Sequence, residues 1–212
     1  LPLQRLFNLV RGPNNPSGRV GIGAAIIGLV VLAMVLLWLG GDHTRVALRY
    51  ERARILDGEL WRLLTGHMVH GDFQHLLLNM VGASIVIGLF RQTYGVLEWI
   101  VVLVVSVVAI DIGFLLLEPQ LTWYVGASGV LYGGLAAGAV AWWRTESKWL
   151  ALALTAVVLG KFAWEQTQGA LPFSGDMTVI VNAHVYGAVG GALTALAIEA
   201  LHVWRKQSQA PL

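Results

Sequence analysis

Six long apolar stretches separated by polar segments run along the chain, near 20–39, 73–90, 97–117, 127–143, 149–165 and 179–201. A helix crosses a hydrocarbon core of roughly 30 Å with about 20 apolar residues, and each stretch meets or approaches that length. The fourth and fifth are short and rich in Gly and Ala, so the pattern predicts that they sit inside a bundle. The fold expected is all-α and integral to a membrane: a compact bundle of six transmembrane helices. Residues 40–72, between the first two spans, form an unusually long loop, and its Trp, Tyr and apolar residues predict that it rests on the membrane surface. Residues 12–18, rich in Gly, Pro, Asn and Ser, read as a flexible lead-in. The organisation expected is a lead-in over 1–19, a six-span domain over 20–201 and a tail over 202–212. No linker separates a second domain, and no internal repeat suggests a transporter built of two halves.

Composition supports the bilayer as solvent. Of the 212 residues 57% are hydrophobic and 12% charged, against about 25% charged in an average soluble protein. Such a chain cannot cover itself with polar groups in water. All nine tryptophans (Trp38, Trp61, Trp99, Trp123, Trp142, Trp143, Trp149, Trp164, Trp204) fall at span ends or just outside them, where an indole finds both apolar surroundings and a partner for its N–H. The chain begins at Leu1, and its first apolar run, from Val20, is long enough to span, so it reads as an anchor and not as a cleaved leader.

Charge sets the orientation. The N-terminus, the 91–96 turn, the 144–148 turn and the C-terminal tail share one side and carry Arg5, Arg11, Arg19, Arg91, Arg144, Lys148, Arg205 and Lys206. The other side holds Arg45, Arg49, Arg52, Arg54 and Arg62, balanced by five acids of the same loop. By the positive-inside rule both termini lie in the cytoplasm and the long loop lies outside. A net charge of +2 without a basic stripe excludes nucleic acid as a partner. The absence of cysteine removes disulfides, thiolate metal sites and cysteine nucleophiles together.

Polar side chains inside spans are costly and are functional candidates for that reason. His75 and Asn79 are four apart and share one helix face, which makes them a pair of hydrogen-bond donors suited to an oxyanion, or else a bond gluing two helices. Ser128 lies in Gly126-Ala127-Ser128-Gly129, where small neighbours leave its hydroxyl uncrowded. A lone membrane serine more often bonds back to its own helix. His184 is followed by Gly187 and Gly191, a Gly-x-x-x-Gly step that admits a neighbouring helix at close range. If that neighbour is the Gly-rich fourth span, Ser128 and His184 meet near the outer boundary, and the imidazole supplies the base that a hydroxyl nucleophile needs. Lys161 and Glu165 read as an i,i+4 pair or a snorkelling cation. Asp111 has no evident task.

Taken together, these pieces resemble the rhomboid family of intramembrane serine proteases. The resemblance rests on Trp61-Arg62, on His70, His75 and Asn79 at their spacing, on Gly126-Ala127-Ser128-Gly129 with Tyr132, and on Ala183-His184 with Gly187 and Gly191. It covers roughly residues 45–195. It implies Ser128 as nucleophile and His184 as general base in a dyad. Asn79, His75 and the Ser128 N–H would form the oxyanion hole, with Tyr132 packed on the His184 ring. Gly126 and Gly129 would flank the nucleophile, and Gly187 and Gly191 would make the helix contact. Trp61-Arg62 would be structural, and His70 would order a loop by a hydrogen bond. The implied partners are the lipid bilayer and membrane-tethered substrates with a transmembrane helix, with no metal or cofactor. Nothing sets the oligomeric state. The first-loop stretches Leu48-Arg49-Tyr50-Glu51-Arg52 and Glu59 to His67 resemble the rhombosortase branch, which is associated with removal of a C-terminal Gly-Gly-type sorting helix from exported proteins. Two other readings stay open on the sequence: a rhomboid-like protein that binds helices without cutting them, and a small transporter.

Overall fold

The computed structural model describes residues 16–90, 92–168 and 180–208, with side chains for all of these except 16–27 and 206. The lead-in as far as residue 15, Arg91 and the end of the tail lie outside the described residues, as does the start of the sixth span at 179. Helices α1 (Pro16–Leu39), α5 (Phe73–Phe90), α6 (Val96–Leu117), α7 (Ser128–Thr145), α8 (Lys148–Gln168) and α9 (Val181–Ser208) follow the six apolar stretches to within a few residues, apart from α9, which runs on well past 201. Among the described residues α5, α6 and Val181–Arg205 of α9 are long and apolar enough to cross a membrane outright. Residues Gly28–Leu39 join α2 (Gly41–Leu48) as a fourth candidate span, bent by 115°. The bend falls at Gly41, whose φ of 66° is open to glycine and strained for other residues. α7 and α8 are helical but less apolar. The chain is thus a helical, multi-pass membrane protein.

α7 is the centre of the bundle and packs against α5, α6, α8 and α9. Its buried face is almost entirely Gly and Ala, from Gly129 to Ala141. Lipid tails are as apolar as leucine, so membrane helices associate by close packing and not by hydrophobic burial. The α7–α9 contact meets that condition directly. A methyl group on Gly187 would strike the carbonyl oxygen of Gly129, and one on Gly191 would strike that of Gly133. Large side chains such as Leu77, Val104 and Val157 are exposed on the outer faces, where hydrocarbon replaces water as their surroundings.

The position of α8 differs from the expected one. This helix lies at the edge of the bundle, not inside it: only Ala151, Val158 and Glu165 are buried. These three recur every seven residues, which puts them on a single seam. The Gly and Ala content misled because some of these small residues face outward. A methyl group on Gly160 would meet no atom within 4 Å.

The long loop is ordered by its own chemistry. It holds α2, strand β1 (Tyr50–Glu51), α3 (Arg52–Leu56) and α4 (Arg62–Thr65). Arg62 is buried, donates to the carbonyls of Val46 (3.0 Å) and Arg49 (2.9 Å), and pairs with Glu59 at 2.6 Å. Arg52 donates to the carbonyls of Phe114 and Leu115, which the end of α6 leaves without helical partners. β1 pairs antiparallel with β2 (Trp123–Tyr124), Tyr50 opposite Tyr124, a small ladder that the all-α expectation did not contain. Asp111 also finds its partner in this loop: His67 Nε2 lies 3.4 Å from its carboxylate.

Candidate active site

The segment leading into α7 is held by the loop. The Gly126 N–H donates to Gly66 O (3.0 Å), and the Tyr124 hydroxyl donates to Gly126 O (2.7 Å). Gly126 has a φ of 120°, and a methyl there would lie 2.5 Å from the His75 ring. Glycine is therefore required twice, for backbone and for space. The turn delivers Ser128 as the first residue of α7, where its N–H has no carbonyl four residues back and adds to the positive end of the helix dipole.

Ser128 Oγ lies 2.9 Å from Nε2 of His184, which stands just inside the start of α9. The Tyr132 ring is stacked on the imidazole, with centroids 4.2 Å apart and planes 7° from parallel. His184 is buried, so the contact is made in a water-poor setting. Both residues open on a cleft of about 930 Å³ walled by α5 and α8 with α7 as its floor. Its polar end also holds His75 and Asn79, and its apolar end is lined by Gly82, Ile85, Val86, Leu131 and Leu135. Asn79 is buried and its Nδ2 has no hydrogen-bond partner among the described residues. The Gly71 N–H points at His75 Nδ1 over 3.5 Å, a polarity that puts the ring proton on Nε2 as a further donor.

A model of the rhomboid domain matches residues 57–200 of this sequence. The chain belongs to the rhomboid family. Among curated proteins it is similar to the provisionally named rhomboid protease YdcA of Bacillus subtilis (strain 168), 32% identical over 79 residues, which cover 37% of this chain and 40% of that protein. It is also similar to rhomboid-like protease 5 of Toxoplasma gondii, 28% identical over 160 residues, 72% of this chain and 18% of the relative. The matches therefore span well under half the length of either relative.

The rhomboid chain brings Ser128, His184 and Tyr132 into contact and gathers Asn79 and His75 at the same cleft. Gly126 lies against His75, and Gly129, Gly187 and Gly191 lie in the α7–α9 contact. His70 departs from expectation. Neither of its ring nitrogens has a hydrogen-bond partner among the described residues, and the ring stands edge-on to His75 at 5.1 Å. Burial, reinforced by His75, holds its pKa down to about 4 from the usual 6.5. Between those values the unfolded chain binds more protons than the folded one, so stability rises with pH across that interval. Thermal melting of the wild type from pH 4 to 6.5 is expected to show this slope, on the order of 3 kcal/mol in all. In His70→Phe that contribution should vanish; an unchanged slope would refute the assignment.

Sequence reasoning missed Glu165. Its expected pairing with Lys161 is present, but the carboxylate is buried and turned inward. Oε2 lies 2.9 Å from His184 Nδ1, and Oε1 accepts from the Tyr132 hydroxyl at 2.9 Å. One signal was available. Positions 151, 158 and 165 make a seven-residue stripe of Ala, Val and Glu, and an acid on the seam of a helix points into the bundle.

Proposed function

We propose that this rhomboid chain is an intramembrane serine endopeptidase that hydrolyses a peptide bond in or next to the transmembrane anchor of membrane-tethered proteins. The observation that carries the reading is the 2.9 Å contact between Ser128 Oγ and His184 Nε2 at the floor of an open cleft. His184 takes the Ser128 proton as Oγ attacks the scissile carbonyl carbon. The negative charge that develops on the carbonyl oxygen meets Asn79 Nδ2, His75 Nε2–H and the Ser128 N–H, donors fixed in place before the reaction begins. His184 then passes its proton to the leaving amine, and the C–N bond breaks. Water, deprotonated by His184, attacks the acyl-enzyme ester, and the proton returns to Ser128 Oγ as the acid leaves.

The substrate is a transmembrane helix entering between α5 and α8, whose walls leave the cleft open. A helical segment hides its carbonyls in i→i−4 bonds, so the cut falls near residues such as Gly that unwind easily. The first-loop sequence favours a rhombosortase that removes a C-terminal Gly-Gly-type sorting helix. The protein then belongs to a bacterial inner membrane, crossing it six times with both termini cytoplasmic and the site opening outward. The 20–201 bundle is its catalytic unit, flanked by a lead-in and a tail, and it needs no cofactor.

The test is labelling of the detergent-solubilised protein with a fluorescent fluorophosphonate. Wild type is expected to take the label and Ser128→Ala to take none. Label that persists in Ser128→Ala would overturn the nucleophile. A folded wild type without label would instead favour a rhomboid-like protein that binds helices without cutting them. Asn79→Ala is expected to remain active but about 100- to 1,000-fold slower in kcat, the usual cost of one oxyanion donor. A fully active Asn79→Ala would remove Asn79 from the hole.

A further inference from the structure

Glu165 has no step in the hydrolysis at Ser128, yet the site is built around its carboxylate. Its side chain is 2% exposed. Three hydrogen-bonding groups from three helices converge on it: Tyr132 of α7, Lys161 of α8 and His184 of α9. Their arrangement is unequal. The Tyr132 hydroxyl and the Lys161 ammonium both donate to Oε1, which leaves Oε2 alone to face His184 Nδ1. A carboxylate has no proton to give, so the proton in that bond belongs to Nδ1. The lone pair is then on Nε2, the nitrogen that faces Ser128.

We propose that Glu165 is a positioning residue for hydrolysis at Ser128, holding His184 in the tautomer that can accept the serine proton, and that Tyr132 and Lys161 fix which carboxylate oxygen does so. The proposal rests on the protease reading of the same site. The tasks divide cleanly among the neighbours. Stacking on Tyr132 sets the plane of the imidazole but cannot choose between its two nitrogens, whereas Glu165 can. When Ser128 gives up its proton, the imidazolium forms beside an anion in a medium where charges are poorly screened. Lys161 also lies over the Tyr132 ring, 4.7 Å from its centroid, and balances the buried carboxylate so that the site is not left with an unpaired charge.

The arrangement makes an unusual prediction about Glu165→Gln. With two donors occupying the Oε1 position, the amide carbonyl must turn to them and its NH₂ must face Nδ1. That donor forces Nδ1 to accept, moves the ring proton to Nε2 and takes the base away. The fluorophosphonate labelling rate of Ser128 is expected to fall on the order of 10²- to 10⁴-fold, by analogy with loss of the orienting carboxylate in soluble triads. The loss should lie in the maximal rate and not in the half-saturating probe concentration. Glu165→Gln combined with Tyr132→Phe and Lys161→Met removes both inner donors and frees the amide to turn its carbonyl to Nδ1. Labelling in this triple variant is expected to recover about tenfold or more over Glu165→Gln alone. Glu165→Asp, which keeps the charge on a side chain shorter by one methylene, guards against misfolding of the amide variants and is expected to label faster than Glu165→Gln.

A purely structural role predicts the opposite order, because each further change at a buried network would weaken it. Glu165→Gln labelled as fast as wild type, a triple variant slower than the single one, or a Glu165→Asp no faster than Glu165→Gln would overturn the proposal while leaving Ser128 as the nucleophile. A wild type that takes no label would overturn the protease reading, and this inference with it.

Discussion

Ser128→Ala and His184→Ala are each expected to lower peptide hydrolysis by about 10⁶-fold, and the double variant is expected to lose no more than either alone. In the proposed mechanism the two side chains, 2.9 Å apart, perform one act, transfer of a proton from Oγ to Nε2 as the nucleophile attacks. Removing either partner removes the act, so the losses do not add. The residual rate would come from the cleft and the oxyanion donors, which both variants keep. Hydrolysis of a fluorogenic transmembrane substrate in proteoliposomes checks this, with melting temperatures to confirm the fold. A double variant markedly slower than both single variants would mean that the residues act independently, and the dyad would be wrong.

Gly187→Val is expected to cost on the order of 10³-fold in activity and about 1–3 kcal/mol in stability, although residue 187 touches no substrate. It stands three residues after His184, against the Gly129 carbonyl one residue after Ser128. A β-branched side chain there cannot rotate clear, so α9 must retreat from α7 by more than the tolerance of a hydrogen bond. The base moves away from the nucleophile with it. Gly160→Val is the control, because the space beside that glycine is open. Equal labelling rates for Gly187→Val and wild type would show that the helix contact does not set the dyad distance.

What was legible in the sequence follows from how locally each feature is encoded. The bounds of α5 are those expected, 73 to 90, with polar Gly71-Asp72 before the helix and Arg91-Gln92 after it in the sequence. The meeting of Ser128 with His184 was readable because small residues flank both, and close helix approach demands small residues. Glu165 was hidden by Lys161: a complete local explanation, the i,i+4 pair, left no reason to look across the bundle. The partner of Asp111 was out of reach because His67 lies 44 residues away on a loop. The β1–β2 ladder has two residues per strand, too few to leave a period. The same reasoning erred on α8, where small residues were taken as a sign of burial although some of them face outward.

The order of helices along the chain has a consequence for biogenesis. His75, Asn79, Ser128 and Glu165 all lie at or before α8 in the chain, whereas His184 arrives on α9, the last of the described helices. A nascent chain that has inserted only as far as α8 holds an unactivated hydroxyl, chemically as inert as any other membrane serine. On the proposed mechanism, hydrolysis becomes possible only once α9 has docked its glycines against α7 and brought His184 to Ser128. On the proposed reading, a half-made form would lack its base and would spare neighbouring membrane proteins.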